Sequence, residues 1–136
     1  MIARPRNRSL EKGDSALRIA IDFHKEGNAE KAIENYRIAI EKKTKQKHAF
    51  VNLAALLRAQ GDPIEAGKVI EIGLKEVDAN SPVLNNTLGN CLRDLGRYEE
   101  AIAIYRKAIK CSNGYYEAEI SLVGALHEAG YKKLSD

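Results

Sequence analysis

The chain has 136 residues, 44% of them hydrophobic and 30% charged, and a formal net charge of +3. That length suits one domain with an apolar core, and no run of about eighteen apolar residues exists that could span a membrane. Its two cysteines, Cys91 and Cys111, are too few for a disulfide framework, so a reducing, cytoplasmic setting is the expectation.

Residues 1–12 hold Arg4, Arg6, Arg8 and Lys12 against Glu11, which accounts for the whole net charge. They read as a basic flexible N-terminal arm or as the start of the first helix. So few charges, with no aromatics between them, do not point to nucleic acid as the main partner. Met1-Ile2-Ala3-Arg4-Pro5 has no apolar core of the kind a signal peptide needs, so none is expected.

The first predicted helix pair runs from about residue 14 to 43, with Asp14 or Ser15 as N-cap and a turn at Gly27-Asn28. The run Lys42-Lys43-Thr44-Lys45-Gln46-Lys47-His48 follows. Lysines at a helix C-terminus favour its dipole and face water. The second pair runs from about 47 to 77 and turns at Gly61-Asp62-Pro63, where Pro63 opens the next helix. In the third, from about 82 to 111, Ser81 is the expected N-cap, Pro82 the first helical residue and Gly96-Arg97 the turn. A further first helix is predicted over 117–129, then a turn at Gly130 and a stub of its partner over 131–136. That end is read in three ways: an imperfect cap, a piece of a longer chain, or an open apolar end that self-associates.

The four turn glycines are 34, 35 and 34 residues apart, and such a period marks an internal repeat. Eight and four residues before each glycine stand Ile19 and Phe23, Leu53 and Leu57, Leu88 and Leu92, Leu122 and Leu126, one helical turn apart. Seven before come the small residues Ala20, Ala54 and Gly89, where a neighbouring helix can approach; Val123 breaks that pattern. Nine after come Tyr36, Ile70 and Tyr105, and twelve after come Ala39, Gly73 and Ala108, an alternation that suits interdigitated packing. Each glycine is expected just past a helix end with positive φ.

Leu88-Gly89, Leu92, Gly96, Ala101, Tyr105 and Ala108 together resemble the tetratricopeptide repeat, and the resemblance extends over about 120 residues. Ile19-Ala20, Phe23, Gly27, Ala32, Tyr36 and Ala39 fit it too, while Ile70 and Gly73 make the middle repeat looser. The proline that closes such repeats is replaced by Thr44, Asp78 and Asn113. The resemblance implies an all-α solenoid of tandem antiparallel helix hairpins in a right-handed superhelix. Its repeats fall at about 13–46, 47–81 and 82–115, with a partial one over 116–136. It also implies a non-enzymatic scaffold whose first helices line a concave groove for a protein or peptide ligand.

Register then nominates the groove residues. Three before each glycine stand His24, Arg58, Arg93 and His127, a ladder of basic-capable side chains. Val51, Asn52, Ala55, Asn86 and Asn90 share the same face. Asparagine amides can bracket a peptide unit, and arginines can take carboxylates in a bidentate manner, so an extended, acidic segment is the expected ligand. The two-carboxylate clamp of chaperone-binding family members maps onto Leu17, Ile21, Asn52, Val83 and Thr87, of which only Asn52 matches. The asparagines are more similar to those lining the repeat arrays of glycosyltransferases. The alternative reading is therefore a substrate-recruiting or oligomerising module of a larger enzyme. No catalytic, metal-ligating or phosphate-cradling motif occurs, and no cofactor is expected.

Overall fold

A computed structural model describes residues 8–113 and 115–135, with side chains over 12–113 and 115–130. Among them are seven α-helices: α1 Arg8–Lys25, α2 Ala29–Glu41, α3 Lys47–Ala59, α4 Pro63–Glu76, α5 Pro82–Asp94, α6 Tyr98–Cys111 and α7 Tyr116–Ser135. Successive helices pack as hairpins. The odd-numbered ones also pack on one another, α3 on α5 and α5 on α7. The result is an all-α solenoid in which each unit buries its apolar face on its neighbours.

Three hairpin turns share one design. Gly27, Gly61 and Gly96 have φ of 79°, 82° and 74°, in the left-handed region where a side chain is strained. The amide of the next residue returns to the carbonyl five positions back: Asn28 to Phe23, Asp62 to Leu57 and Arg97 to Leu92, each at 2.9 Å. This closes the first helix in a Schellman arrangement. The same residue opens the second helix: Asn28 accepts from the Lys31 amide and Asp62 from the Glu65 amide, both at 3.1 Å. Two residues thus end one helix and begin the next.

Size complementarity sets the packing between paired helices. Tyr36, Ile70 and Tyr105 are wholly buried, as are Ala20 and Ala54. At Gly89 a Cβ would come within 2.4 Å of the Tyr105 ring, so only glycine lets α6 lie this close to α5. The middle repeat adds a second such contact. Phe50 is the bulky residue there, and a Cβ on Gly73 would meet its ring at 3.0 Å. Cys91 is buried as a small apolar residue, and that burial raises its thiol to about 11, leaving it protonated at neutral pH.

The slots without proline make their turns through side chains. Thr44 Oγ1 accepts from the Gln46 amide at 3.2 Å, and Asp78 Oδ1 from the Asn80 amide at 3.0 Å. Ser81 caps α5 through the Leu84 amide, as its position ahead of Pro82 predicts. The lysine run does more than face water. Lys43 and Lys45 reach Glu76 at the end of α4, and Lys47 pairs with Asp78, so the run joins the first two repeats.

Four expectations need correction or bounding. Helix α1 begins at Arg8, so Asp14 and Ser15 lie inside it and cap nothing. Residues 1–7 of the basic arm lie outside the described residues. Gly130 does not turn, because α7 runs through it to Ser135. A glycine inside a helix costs only about 1 kcal/mol. Finally, Ile19 is 48% exposed although Leu53 at the equivalent slot is buried. Leu53 lies beside Ile40 of the preceding repeat, and no described repeat precedes Ile19. At the other end α7 exposes Tyr116, Ile120 and Val123. No described helix is long and apolar enough to cross a membrane.

Replacing Gly89 by Ala should destabilise the chain by about 1–3 kcal/mol, because overpacking against a rigid ring outweighs the gain in helix propensity. Urea denaturation checks this; a variant as stable as the parent would mean the α5–α6 approach is not close-packed.

Candidate functional site

The nominated residues fall into three environments. His24, Val51, Asn52, Arg58, Asn90 and Arg93 are half-buried on the first helices, and Ala55 and His127 are exposed. Asn86 departs from expectation. It is only 6% exposed and its Oδ1 is enclosed without a hydrogen-bond partner among the described residues, so it does not share the open surface. At the N-terminal end Asp14, Ser15, Leu17, Arg18, Ile21, Gln46 and His48 line an open cleft of about 710 Å³.

Two buried tyrosines organise the polar floor. The Asn52 amide donates to the Tyr36 hydroxyl at 3.2 Å, and the same hydroxyl is hydrogen-bonded to His24 Nδ1 at 3.0 Å. The His24 and Tyr36 rings meet edge to face, 5.9 Å between centroids. Two repeats on, the Tyr105 hydroxyl donates to Asn90 Oδ1 at 2.6 Å. Burial raises the pKa of both phenols, so neither ionises near neutral pH. The asparagines are consequently held in opposite senses. Asn52 keeps its carbonyl oxygen for the groove, whereas Asn90 keeps both N–H donors.

The basic ladder is occupied from within. Arg58 Nε donates to Asp94 at 2.6 Å and its Nη2 to the other carboxylate oxygen at 3.2 Å. Arg93 Nε donates to Glu128 Oε1 at 2.9 Å, and its Nη2 reaches the same oxygen. Both arginines have raised pKa values, first of all because of these hydrogen bonds, and remain charged throughout. Each acid stands two residues before the next glycine of the 34–35-residue series, Gly96 or Gly130, so both pairs span adjacent repeats. Gly124 completes the arrangement: a Cβ there would come within 2.7 Å of the Arg93 guanidinium. The first repeat has no such pair, since Ala59 occupies the acid's slot and His24 turns to Tyr36 instead. Register could have exposed Asp94 and Glu128, because they share one offset beside the arginine slot. The tyrosine hydroxyls carry no such signal, because their slot reads as core.

A double-mutant cycle on Arg93→Ala and Glu128→Ala should give a coupling of about 0.5–1 kcal/mol for this half-exposed, doubly bonded pair, shrinking in molar salt. Gly124→Ala should remove most of that coupling. Full coupling retained in Gly124→Ala would deny the glycine its part.

With this geometry, comparison with known proteins becomes informative. The tetratricopeptide repeat family profile matches residues 82–115, the third hairpin. No curated protein matches the whole sequence. Among solved structures, the first TPR of Spaghetti (RPAP3), bound to the HSP90 peptide SRMEEVD, superposes with a TM-score of 0.80 at 15% identity, covering 89% of this chain and 95% of that one. The Sgt2 TPR domain from Aspergillus fumigatus gives 0.79 at 21% identity, over 95% of this chain and 83% of that one. The O-GlcNAc transferase of Thermobaculum terrenum gives 0.77 at 20% identity; 90% of this chain lies on 24% of that one. Residues 82–115 carry the tetratricopeptide repeat signature, and nearly the whole chain shares the stacked-hairpin fold of tetratricopeptide repeat domains.

Proposed function

We propose that the chain is a protein-interaction scaffold that holds an extended peptide segment along the face of its odd-numbered helices. The observation that carries this reading is the opposed anchoring of Asn52 and Asn90 by Tyr36 and Tyr105. One amide is left an acceptor and the other a pair of donors, which are the complements of a peptide N–H and a peptide carbonyl. Buried phenols fix both amides before a ligand arrives, so little ordering cost remains. A main-chain contact of this kind reads backbone and leaves sequence preference to neighbours such as Val51, Ala55 and Ile21. That the RPAP3 domain holds the peptide SRMEEVD supports the reading by analogy of fold.

An acidic preference would arise by exchange. A ligand carboxylate would take the place of Asp94 or Glu128 on Arg58 or Arg93, a near-balanced swap in which only the ligand's extra contacts favour binding. The alternative, a recruiting module of a larger enzyme, draws support from the likeness to the Thermobaculum terrenum transferase, of which this chain covers 24%.

Peptides selected from a random displayed library on the parent chain provide the test. Affinity should fall at least ten-fold in Asn52→Ala/Asn90→Ala, measured by fluorescence anisotropy. Ala55→Arg, which leaves both tyrosine hydrogen bonds in place, should block the same peptides. Unchanged affinity in both variants would remove the ligand from this face.

A further inference from the structure

The opposite flank of α5 carries a second feature that the groove does not use. Helices α4 and α6 both pack on α5 and leave a cleft between them. Its deeper part, about 440 Å³, is lined by Ile64, Gly67, Lys68, Glu71, Leu88 and Leu92 among others. It continues past Glu71, Leu88 and Leu92 to Arg97, Glu100 and Ile104 in a further 350 Å³ or so. The floor is apolar, and Ile64, 59% exposed, and Leu95 stand at its rim.

Between the first two repeats, the counterpart of the part beside Glu71 and Glu100 is smaller. It measures about 200 Å³ and is lined by Arg37, Leu53, Glu65, Lys68 and Val69. There Arg37 crosses it to Glu65 at 3.3 Å. Counting from the turn glycines, Arg37 corresponds to Glu71 and Glu65 to Glu100. A bridge of opposite charges in one cleft is therefore replaced by two carboxylates in the other, and like charges cannot close it. Glu71 makes no ion pair among the described residues. Glu100 is held by Arg97 of its own helix turn, at 2.7 and 2.9 Å, in an exposed pair that constrains it little.

The second departure lies on the wall of α4. Six residues after the turn glycine the other repeats carry Ile33 and Ile102, and the middle one carries Gly67. On the floor, Cys91 stands where the preceding repeat has Leu56. Two bulky apolar side chains are thus missing from facing positions. A Cβ on Gly67 would sit 3.8 Å from Cys91 Cβ, an ordinary contact, so no steric need at the Cβ calls for glycine. A helix-interior glycine without such a need weakens its helix.

We propose that this cleft binds a short segment of a partner protein carrying an apolar side chain next to a lysine or arginine. The apolar group fills the notch at Gly67 against Leu88 and Leu92. The cation lies between Glu71 and Glu100, in the position Arg37 takes toward Glu65. Gly67 and Glu71 are one helical turn apart on α4, a separation that adjacent ligand side chains can match.

Two substitutions that restore the features of the other repeats test this: Gly67→Ile fills the notch and Glu71→Arg supplies the internal cation. Both should melt at or above the parent. Peptides from the random displayed library are measured by fluorescence anisotropy on the parent, on each variant and on Asn52→Ala/Asn90→Ala. The expected result is a class with a shared apolar–basic pair that loses at least ten-fold affinity in each variant and keeps it in the asparagine double variant. The proposal is overturned if no such class emerges, if its binding survives both substitutions, or if it depends on the asparagines alone. Peptides of the other face fail only in the asparagine variant, so the two sites are judged separately.

Discussion

The left-handed glycine at each hairpin turn is the constraint on which the fold rests. With φ between 74° and 82°, Gly27, Gly61 and Gly96 reverse the chain in two residues, and the following amide satisfies the carbonyl that would otherwise be left open. Because that residue also begins the next helix, the turn leaves no slack. The helices of a pair must lie at one separation, and small-against-large pairing at Ala20 and Tyr36, or Gly89 and Tyr105, follows from it. At Gly130 the same glycine spacing yields a continuous helix instead. Glycine permits the turn without compelling it.

Electrostatics runs along the array in the same register. Arg58 and Arg93 each reach forward to an acid of the next repeat, and the lysines after α2 reach forward to the end of α4. Charges that look like ligand contacts in a linear reading are therefore largely spent between repeats. What the groove presents is consequently less a basic strip than a row of oriented amides beside neutralised arginines. Half-exposed pairs of this sort add little stability singly. Each ties one hairpin to the next.

Departures from the repeat carry the chain's individuality. Gly124 admits a guanidinium, Gly67 and Cys91 hollow out a flank, and Glu71 forbids a bridge that its counterpart Arg37 makes. Each is a small change set against otherwise similar units, and the helices keep their stacking around it. A repeat fold allows this because every unit owes its stability only to its neighbours.

Sequence alone determined the first three hairpins, their register and most of the core, but not the continuation of α7 through Gly130. Period, glycine placement and the caps Asn28, Asp62 and Ser81 are local signals, and local hydrogen bonds realise them. It also nominated the open groove surface at Asn52, Ala55 and Asn90. Tertiary structure alone decided which nominees are free. Asn86 is buried, Arg58 and Arg93 are engaged by acids about 35 residues away, and Asn52 and Asn90 point in opposite senses because phenols from other helices hold them. The reason is physical: a side chain's type and helical face follow from its own neighbours in sequence, whereas its partner is supplied by whichever helix packs beside it.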